Sequence, residues 1–388
     1  MKILVTGCCG FIGRHVWALL RAHGHELIGI DALVPQVHGA DPVPTVTEGL
    51  IYADSVGNVA TGGPARGPNA WDVDAVIHLA AEVGVGQSAY EPARYVQANV
   101  LETAQLWERL IEAKTRTGRL SRVVVASSMS VYGEGAYWHR REGQSAWLTH
   151  GIRRATARGW DAFDGPDDLP LGGEVVRELT DENKIPEPAS VYALSKLDTE
   201  RYSLLLGDAY GIPTTALRLF NVYGDGQSLS NAYTGFLATC ACRVLNGKPP
   251  LLYEDGQQSR DFVHVDDVAR AVVTAVEVPA LSGVFNVATG VPTTVADLAE
   301  RWCRIVAERG LPRVEPEIVG KYRVGDVRHC VGDPAKFSAA TGWRAEVTLD
   351  AGLLAVADWI LANHFDVNVP ADHSGDAVRE LRAHGLER

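Results

Sequence analysis

Tyr192-Ala193-Leu194-Ser195-Lys196 sets a phenol and an amine four residues apart. If the segment opens a helix, both side chains lie on one face. A free tyrosine titrates at about pH 10 and is a poor base at neutrality, but nearby positive charge favours the phenolate and lowers that value. Such a tyrosine can take the proton of a secondary alcohol while hydride leaves the same carbon. The spacing Y-x-x-x-K alone is as readily a surface pair. It gains weight from Ser127-Ser128-Met129-Ser130-Val131-Tyr132-Gly133, which follows the apolar run 123–126. Serines at the carboxyl end of a parallel strand sit where such sheets bind ligands. The Ser128 hydroxyl can there hold a substrate oxygen beside the phenol.

A second motif indicates what would accept the hydride. Gly7-Cys8-Cys9-Gly10-Phe11-Ile12-Gly13 spells G-x-x-G-x-x-G between an apolar run at 2–6 and a helical pattern from Phe11. Gly7 permits the tight turn, Gly10 lets the backbone approach a pyrophosphate, and Gly13 lets the helix pack on the sheet. The helix start offers free N–H groups and the positive end of its dipole to phosphates. Asp31 ends the next apolar run, 18 residues after Gly13. A carboxylate there accepts from ribose hydroxyls and repels a 2′-phosphate, which favours NAD over NADP. Asp54 could meet the adenine or be a plain surface aspartate; spacing does not separate the two.

These groups need a scaffold. Short, wholly apolar runs at 2–6, 27–30, 75–79, 123–126 and 214–217 are expected for strands covered on both faces. Helical stretches at about 92–113, 195–210 and 265–278 alternate with them. The pattern predicts an α/β protein with a Rossmann-type doubly wound parallel sheet. After about residue 222 the alternation loosens, with short helices expected at about 235–246, 295–309 and 350–363. We read 1–222 as a dinucleotide-binding domain and 223–388 as a smaller mixed α/β substrate domain, with about 260–287 returning to the main sheet. The polar stretch 366–388 reads as a surface tail. Residues 134–187 interrupt the rhythm as an insertion holding Trp138, Trp147 and Trp160 with Arg140, Arg141, Arg153, Arg154 and Arg158. It reads either as a solvated insertion or as a basic lid over the substrate.

Bulk properties narrow the classes. The 388 residues are 46% hydrophobic and 22% charged, an ordinary globular balance. A net charge of -12 repels nucleic acid and anionic membranes, so neither is expected as the main partner. No stretch of 18 apolar residues suggests a membrane span. The N-terminus runs directly into the glycine turn, unlike a signal peptide. Cys8, Cys9, Cys240, Cys242, Cys303 and Cys330 follow no disulfide or zinc spacing. Thiols in the cytoplasm, with no metal site, are the expected state.

With these motifs together, the chain resembles the extended short-chain dehydrogenase/reductase family, in its NAD-dependent nucleotide-sugar epimerase/dehydratase branch. The likeness runs from Thr6 to about Ile360 apart from the insertion. It is carried by Thr6–Gly13, His78-Leu79-Ala80-Ala81, Asn99, Ser127–Gly133, Tyr192–Lys196, Leu217–Gly224, Arg260–Asp267 and Gly325–Arg328. The resemblance implies Ser128, Tyr192 and Lys196 as catalytic residues, with Tyr192 the base and Lys196 also holding the nicotinamide ribose. It implies Gly7, Gly10, Phe11, Ile12, Gly13, Asp31, Leu79, Ala80, Ala81 and Asn99 as cofactor contacts. Asn221, Arg260 and Arg328 correspond to contacts of the substrate diphosphate or sugar, a task suited to forked guanidinium groups. His264 is implied to be structural.

In the family's 4,6-dehydratases an acidic pair follows the catalytic Ser/Thr; here Met129 and Ser130 stand there. Neither transfers protons at neutrality, and the pattern resembles the 4-epimerases. The expected reaction is nucleotide-sugar 4-epimerisation through a transient 4-keto sugar. A 4,6-dehydratase, a 4-ketosugar reductase and a non-catalytic NAD-binding sensor are the rival readings. Val83–Ser88 and Leu229–Gly235, with the insertion, resemble dTDP-L-rhamnose 4-epimerase-like and UDP-glucose 4-epimerase-like proteins, and place Ser88 and Asn231 at the substrate. Such relatives often carry a Cys-x-x-Cys-like element in the insertion, and this chain has no cysteine there. Family members commonly dimerise through the helices corresponding to about 99–113 and 195–210, which implies a homodimer.

Overall fold

The structure is a computed structural model. It describes residues 1–39, 44–46, 48–53, 68–141, 144–148, 150–165, 174–231, 233, 235–364 and 369–388. Asp54, a candidate adenine contact, lies outside the described residues.

Strand β1 (Lys2–Thr6) is followed by helix α1 (Phe11–Ala22), β2 (Glu26–Asp31), β3 (Leu50–Tyr52), β4 (Ala75–His78) and β5 (Arg122–Ser128). These strands join Thr214–Leu219 and Gly283–Val287 in one seven-stranded sheet. Its order is Gly283–Val287, Thr214–Leu219, β5, β4, β1, β2, β3, and every pairing is parallel. The apolar runs divide their residues between two faces because successive strand side chains point opposite ways. Ile3, Val5, Ile77 and Val124 bury against Val16, Trp17 and Leu20 of α1 and Val268, Val272 and Val276 of the helix Val265–Glu277. Leu4, Val76, Val123 and Val125 bury against Leu106, Trp107 and Leu110 of the helix Glu102–Thr117. The chain is thus a Rossmann-type α/β protein, its sheet clothed by helices on both sides.

The strand order reverses between β1 and β4, so their carboxyl ends splay and leave a crevice where such sheets bind ligands. The Tyr192 helix (Val191–Ala209) begins four residues before the expected 195, because Ser190 caps it by accepting from the Ala193 N–H at 3.1 Å. That shift brings Tyr192 and Lys196 onto its first turns.

A second core gathers Leu237, Cys240 and Val244 with Leu298, Trp302 and Val306 and with Leu353, Val356 and Ile360. These residues come from the helices Phe236–Leu245, Val295–Glu308 and Leu349–His364. The insertion folds rather than trailing in solvent. Glu174–Arg177, Tyr137–Arg141 and Gln144–Leu148 form an antiparallel sheet, with a ribbon of Arg153–Arg154 and Phe163–Asp164 beside it. Tyr137, Ile152 and Phe163 give it a small core of its own.

The expectation of a surface tail at 366–388 is overturned. Ser374–Ala383 is a helix whose Ala377 and Leu381 are buried, and His384 stacks on Tyr90 with ring centroids 4.9 Å apart. The segment is polar overall, but Ala377 and Leu381 lie four apart on one helical face, and that stripe is what docks.

Candidate active site

The crevice begins at the glycine loop. Gly7 has φ +69, and its N–H donates to the Ile30 carbonyl at 2.8 Å. A Cβ on Gly7 would stand 2.8 Å from the Ala80 nitrogen, and one on Gly13 would stand 1.9 Å from the Gly7 carbonyl oxygen. Glycine is therefore required at both positions by close backbone approach, and at Gly7 by turn geometry as well. Helix α1 has no side-chain cap: its N-cap is Gly10, and the first intrahelical bond runs from the Arg14 N–H to the Gly10 carbonyl. The N–H groups of Phe11, Ile12 and Gly13 are left for an external acceptor, which a pyrophosphate supplies. Asp31 is buried at the loop's flank, accepting from the Cys9 N–H and the Leu33 N–H, each at 2.8 Å. Leu79, Ala80 and Ala81 leave β4 on the other side of the loop. This cradle fits a dinucleotide.

Asn99 holds that wall. It is fully buried in a π-helical stretch, Val96–Leu101. Its side-chain amide donates to the Glu82 carbonyl at 3.0 Å and to Ser195 Oγ at 2.9 Å, and its Oδ1 accepts from the Glu82 N–H at 2.8 Å. Asn99 therefore ties the segment after β4 to the Tyr192 helix, with its polar atoms occupied by protein. His78 is pinned between Thr6 Oγ1 (2.7 Å) and Thr103 Oγ1 (3.0 Å), and burial pushes its pKa down to about 3.

Ser128 lies at the end of β5 and Tyr192 faces it; both are buried, at 7% and 8% exposure. The Ser128 hydroxyl lies close enough to act on the Tyr192 phenol. Burial raises the Tyr192 phenol above its ordinary value, and the nearby Ser128 hydroxyl partly offsets that rise. The expectation of a phenol lowered by Lys196 is not what this geometry gives, because removal from water outweighs the other influences. Lys196 is itself buried, which lowers its pKa to about 8, with Glu200 opposing the shift. It remains mostly protonated at pH 7. The sidewall includes Tyr95, whose ring meets Tyr192 edge-on at 6.3 Å.

The expected substrate contacts separate into two groups. Asn221 has a buried Oδ1 with no hydrogen-bond partner, an orphaned acceptor that a ligand donor would satisfy. Arg260 is part-buried and donates to the Ser259, Val327 and Arg328 carbonyls. Ser88 is turned inward: its hydroxyl donates to the Val85 carbonyl at 2.7 Å and accepts from the Tyr192 N–H at 3.0 Å, steadying the start of the Tyr192 helix. Asn231 is buried, accepting from the Tyr233 N–H and from Gln36.

Arg328 is fully buried, and all five of its N–H donors are engaged by Asp161, Glu254 and Asp255. Asp161 belongs to the insertion, as does Arg154, which pairs with Glu254 at 2.7 Å. In this arrangement Arg328 binds the insertion to the loop 254–255, and it reaches a phosphate only by releasing a carboxylate. Sequence reasoning missed these carboxylate partners because they come from segments about 73 to 167 residues distant. It also passed over Glu200, whose signal was present as a further step of four beyond Tyr192 and Lys196.

The sequence profile of the NAD dependent epimerase/dehydratase family matches residues 3–148 and 169–288. The unmatched gap falls within the insertion and holds Arg154 and Asp161. The chain is 35% identical over 371 residues to a dTDP-L-rhamnose 4-epimerase of Burkholderia thailandensis, covering 92% of this chain and 94% of that one. Its structure is similar to a UDP-glucose 4-epimerase of Thermotoga maritima bound to UDP-glucose, with 28% identity and a TM-score of 0.71 over 93% of this chain and 99% of that one. It is also similar to MoeE5 in complex with UDP-glucuronic acid and NAD, with 29% identity and a TM-score of 0.69 over the same shares.

Proposed function

Because the chain belongs to the NAD dependent epimerase/dehydratase family, we propose that it inverts C4 of the sugar in a nucleoside diphosphate sugar, with NAD as its cofactor. The observation that carries this reading is the Ser128–Tyr192 pair beside the glycine-loop crevice, with Lys196 one turn along and only Met129 and Ser130 next to Ser128. The first turn of α1 and Gly7 would hold the pyrophosphate, and Asp31 a ribose. Bound NAD would supply a reversible hydride acceptor and a positive charge.

The chain's own groups account for the proton. Ser128 holds the C4 oxygen against Tyr192, and Tyr192 accepts the hydroxyl proton as the carbon is oxidised. After the keto sugar turns over about its diphosphate bond, Tyr192 returns the proton to the oxygen of the opposite epimer. Burial of the phenol disfavours a standing phenolate, so positive charge from a bound cofactor and from Lys196 would be what makes Tyr192 a base. A dehydratase needs an acid and a base beyond this pair, and Met129 and Ser130 supply neither.

Asn221 and Arg260 are our choice for contacts to the diphosphate or sugar, with Arg328 joining if Asp161 lets go. Given the relative at 35% identity, a deoxyhexose on dTDP is the first substrate to test. We further read the protein as a cytoplasmic homodimer. Its six cysteines are buried and unpaired, and among the described residues no helix is long and apolar enough to cross a membrane. Val96, Leu101, Leu194, Tyr202 and Leu205 are exposed apolar residues on the helices expected to pair.

The test is to incubate the purified protein with dTDP-L-rhamnose and with UDP-glucose. Product NMR and the near-ultraviolet absorbance of reduced cofactor are followed together. Epimer formation without net reduced cofactor is expected, and steady consumption of added NADH refutes the reading in favour of a reductase. Tyr192→Phe should abolish turnover while NAD binding persists.

A further inference from the structure

Tyr192, Lys196 and Glu200 follow one another at steps of four along the same helix, so they line one face. Glu200 is 3% exposed, and two neighbouring strands of the sheet contribute contacts to it. Ser127 Oγ, at the end of β5, donates to Glu200 Oε2 at 2.7 Å. Arg218, in the neighbouring strand Thr214–Leu219, donates from Nε to Oε2 at 3.0 Å and from Nη2 to Oε1 at 2.6 Å. Arg218 is also the register partner of Ser127, and its guanidinium lies over the Tyr132 ring at 4.6 Å.

A buried carboxylate is costly unless paired, and Glu200 is paired with Arg218 at 2.6 Å. Lys196 precedes it by one turn on the same helical face. The other titratable groups around Lys196 are Tyr192 on its own helix, Tyr95 from Pro92–Tyr95, and His78 from β4, which is neutral at working pH. Glu200 is the anion that acts on Lys196, whose ammonium is itself almost wholly out of water.

Resting on the reading of Tyr192 as base, we propose that Glu200 is a positioning residue for the reaction. It is the counter-ion of Lys196 and, through Ser127, the anchor of the strand end that carries Ser128. One side chain thereby couples both halves of the catalytic pair, the helix bearing Tyr192 and the strand bearing Ser128. Burial alone pulls Lys196 toward its neutral form, and the carboxylate opposes that pull. Loss of the ammonium would raise the phenol further and remove the base.

The experiment is the pH profile of kcat/KM for Glu200→Gln, with dTDP-L-rhamnose and UDP-glucose as substrates. NAD binding and the melting temperature serve as checks on the fold. The high-pH limb reports deprotonation of Lys196, and it should move down by about one pH unit, as expected for removing one partly compensated charge at close range in a protein interior. Glu200→Asp should return the limb to its original position even if kcat is low. Ser127→Ala should lower kcat without moving the limb. If Glu200→Gln leaves Arg218 unpaired and fails to fold, the charge-neutral variant Glu200→Gln/Arg218→Met carries the same measurement.

A folded, NAD-binding variant with the wild-type limbs overturns the proposal. Activity surviving in Tyr192→Phe would instead overturn the assignment of the base. An inactive Tyr192→Phe beside an unshifted Glu200→Gln profile would sink the role of Glu200 alone.

Discussion

Gly13→Ala tests whether the backbone geometry of the loop is what binds the cofactor. The new Cβ would stand 1.9 Å from the Gly7 carbonyl oxygen, 2.8 Å from the Gly7 carbonyl carbon and 2.9 Å from Cys8 Cα. Gly7 has little room to yield, since its N–H is bonded to Ile30 and a Cβ there would stand 2.8 Å from the Ala80 nitrogen. Restoring an ordinary contact of about 3.4 Å requires α1 to retreat by about 1.5 Å, a shift that a close-packed interior does not absorb. The N–H groups of the first turn move with it, out of charge-assisted hydrogen-bond range of a pyrophosphate. Losing two such bonds at about 1.5 to 3 kcal/mol each amounts to about 3 to 6 kcal/mol, or NAD affinity lower by about a hundred- to ten-thousand-fold. Gly10→Ala is the graded control, because its Cβ meets the Gly7 oxygen at 3.2 Å and needs only a small adjustment. Isothermal titration of the cofactor-free proteins with NAD measures both. The reasoning is refuted if Gly13→Ala folds and binds NAD within tenfold of the parent, or if the two variants are equally impaired.

Two further outcomes follow from the same structure. His78 titrates at about 3 when folded against 6.5 as its unperturbed value, so the stability it contributes is complete above pH 6.5 and is lost as pH falls toward 3. At pH 5 that loss is about 2 kcal/mol, and urea unfolding at pH 7 and pH 5 should show His78→Asn losing correspondingly less stability between the two than the parent does; equal losses would contradict the neutral, buried assignment. Leu205, 70% exposed on the Tyr192 helix, is the most exposed of the apolar residues on the expected dimer face. Leu205→Arg should convert a dimer to a monomer in sedimentation velocity, and a parent chain that sediments as a monomer would dispose of the dimer.

Much of the site could be read before any fold was known, because its signals are local. G-x-x-G-x-x-G between an apolar run and a helical pattern, an aspartate at the next strand end, and Tyr192 with Lys196 all encode geometry within a few residues. A turn, a helix face and a strand end are properties of short stretches of chain. The doubly wound sheet was legible for the same reason: wholly apolar runs alternating with helical periods permit few other arrangements. The short strand Leu50–Tyr52 and the helix Ser374–Ala383 were not legible as elements. One is only three residues long and the other is largely polar, and each owes its existence to what it packs against.

Only the tertiary structure decided which of the marked polar groups are free to act. Ser88, Asn99 and Arg328 have the right types at the right motif positions, yet the fold spends their hydrogen bonds on the protein itself. Asn221 keeps an orphaned acceptor, and the Tyr192 phenol is driven up by burial rather than down by its neighbour. Residue identity and spacing along the chain specify what a side chain can do and which face it shares. Hydrogen-bond saturation and desolvation depend on groups brought from far along the chain, as Asp161 and Asp255 are to Arg328 and Ser127 and Arg218 are to Glu200. Those two quantities, more than residue type, set whether a polar group is catalytic, ligand-binding or structural.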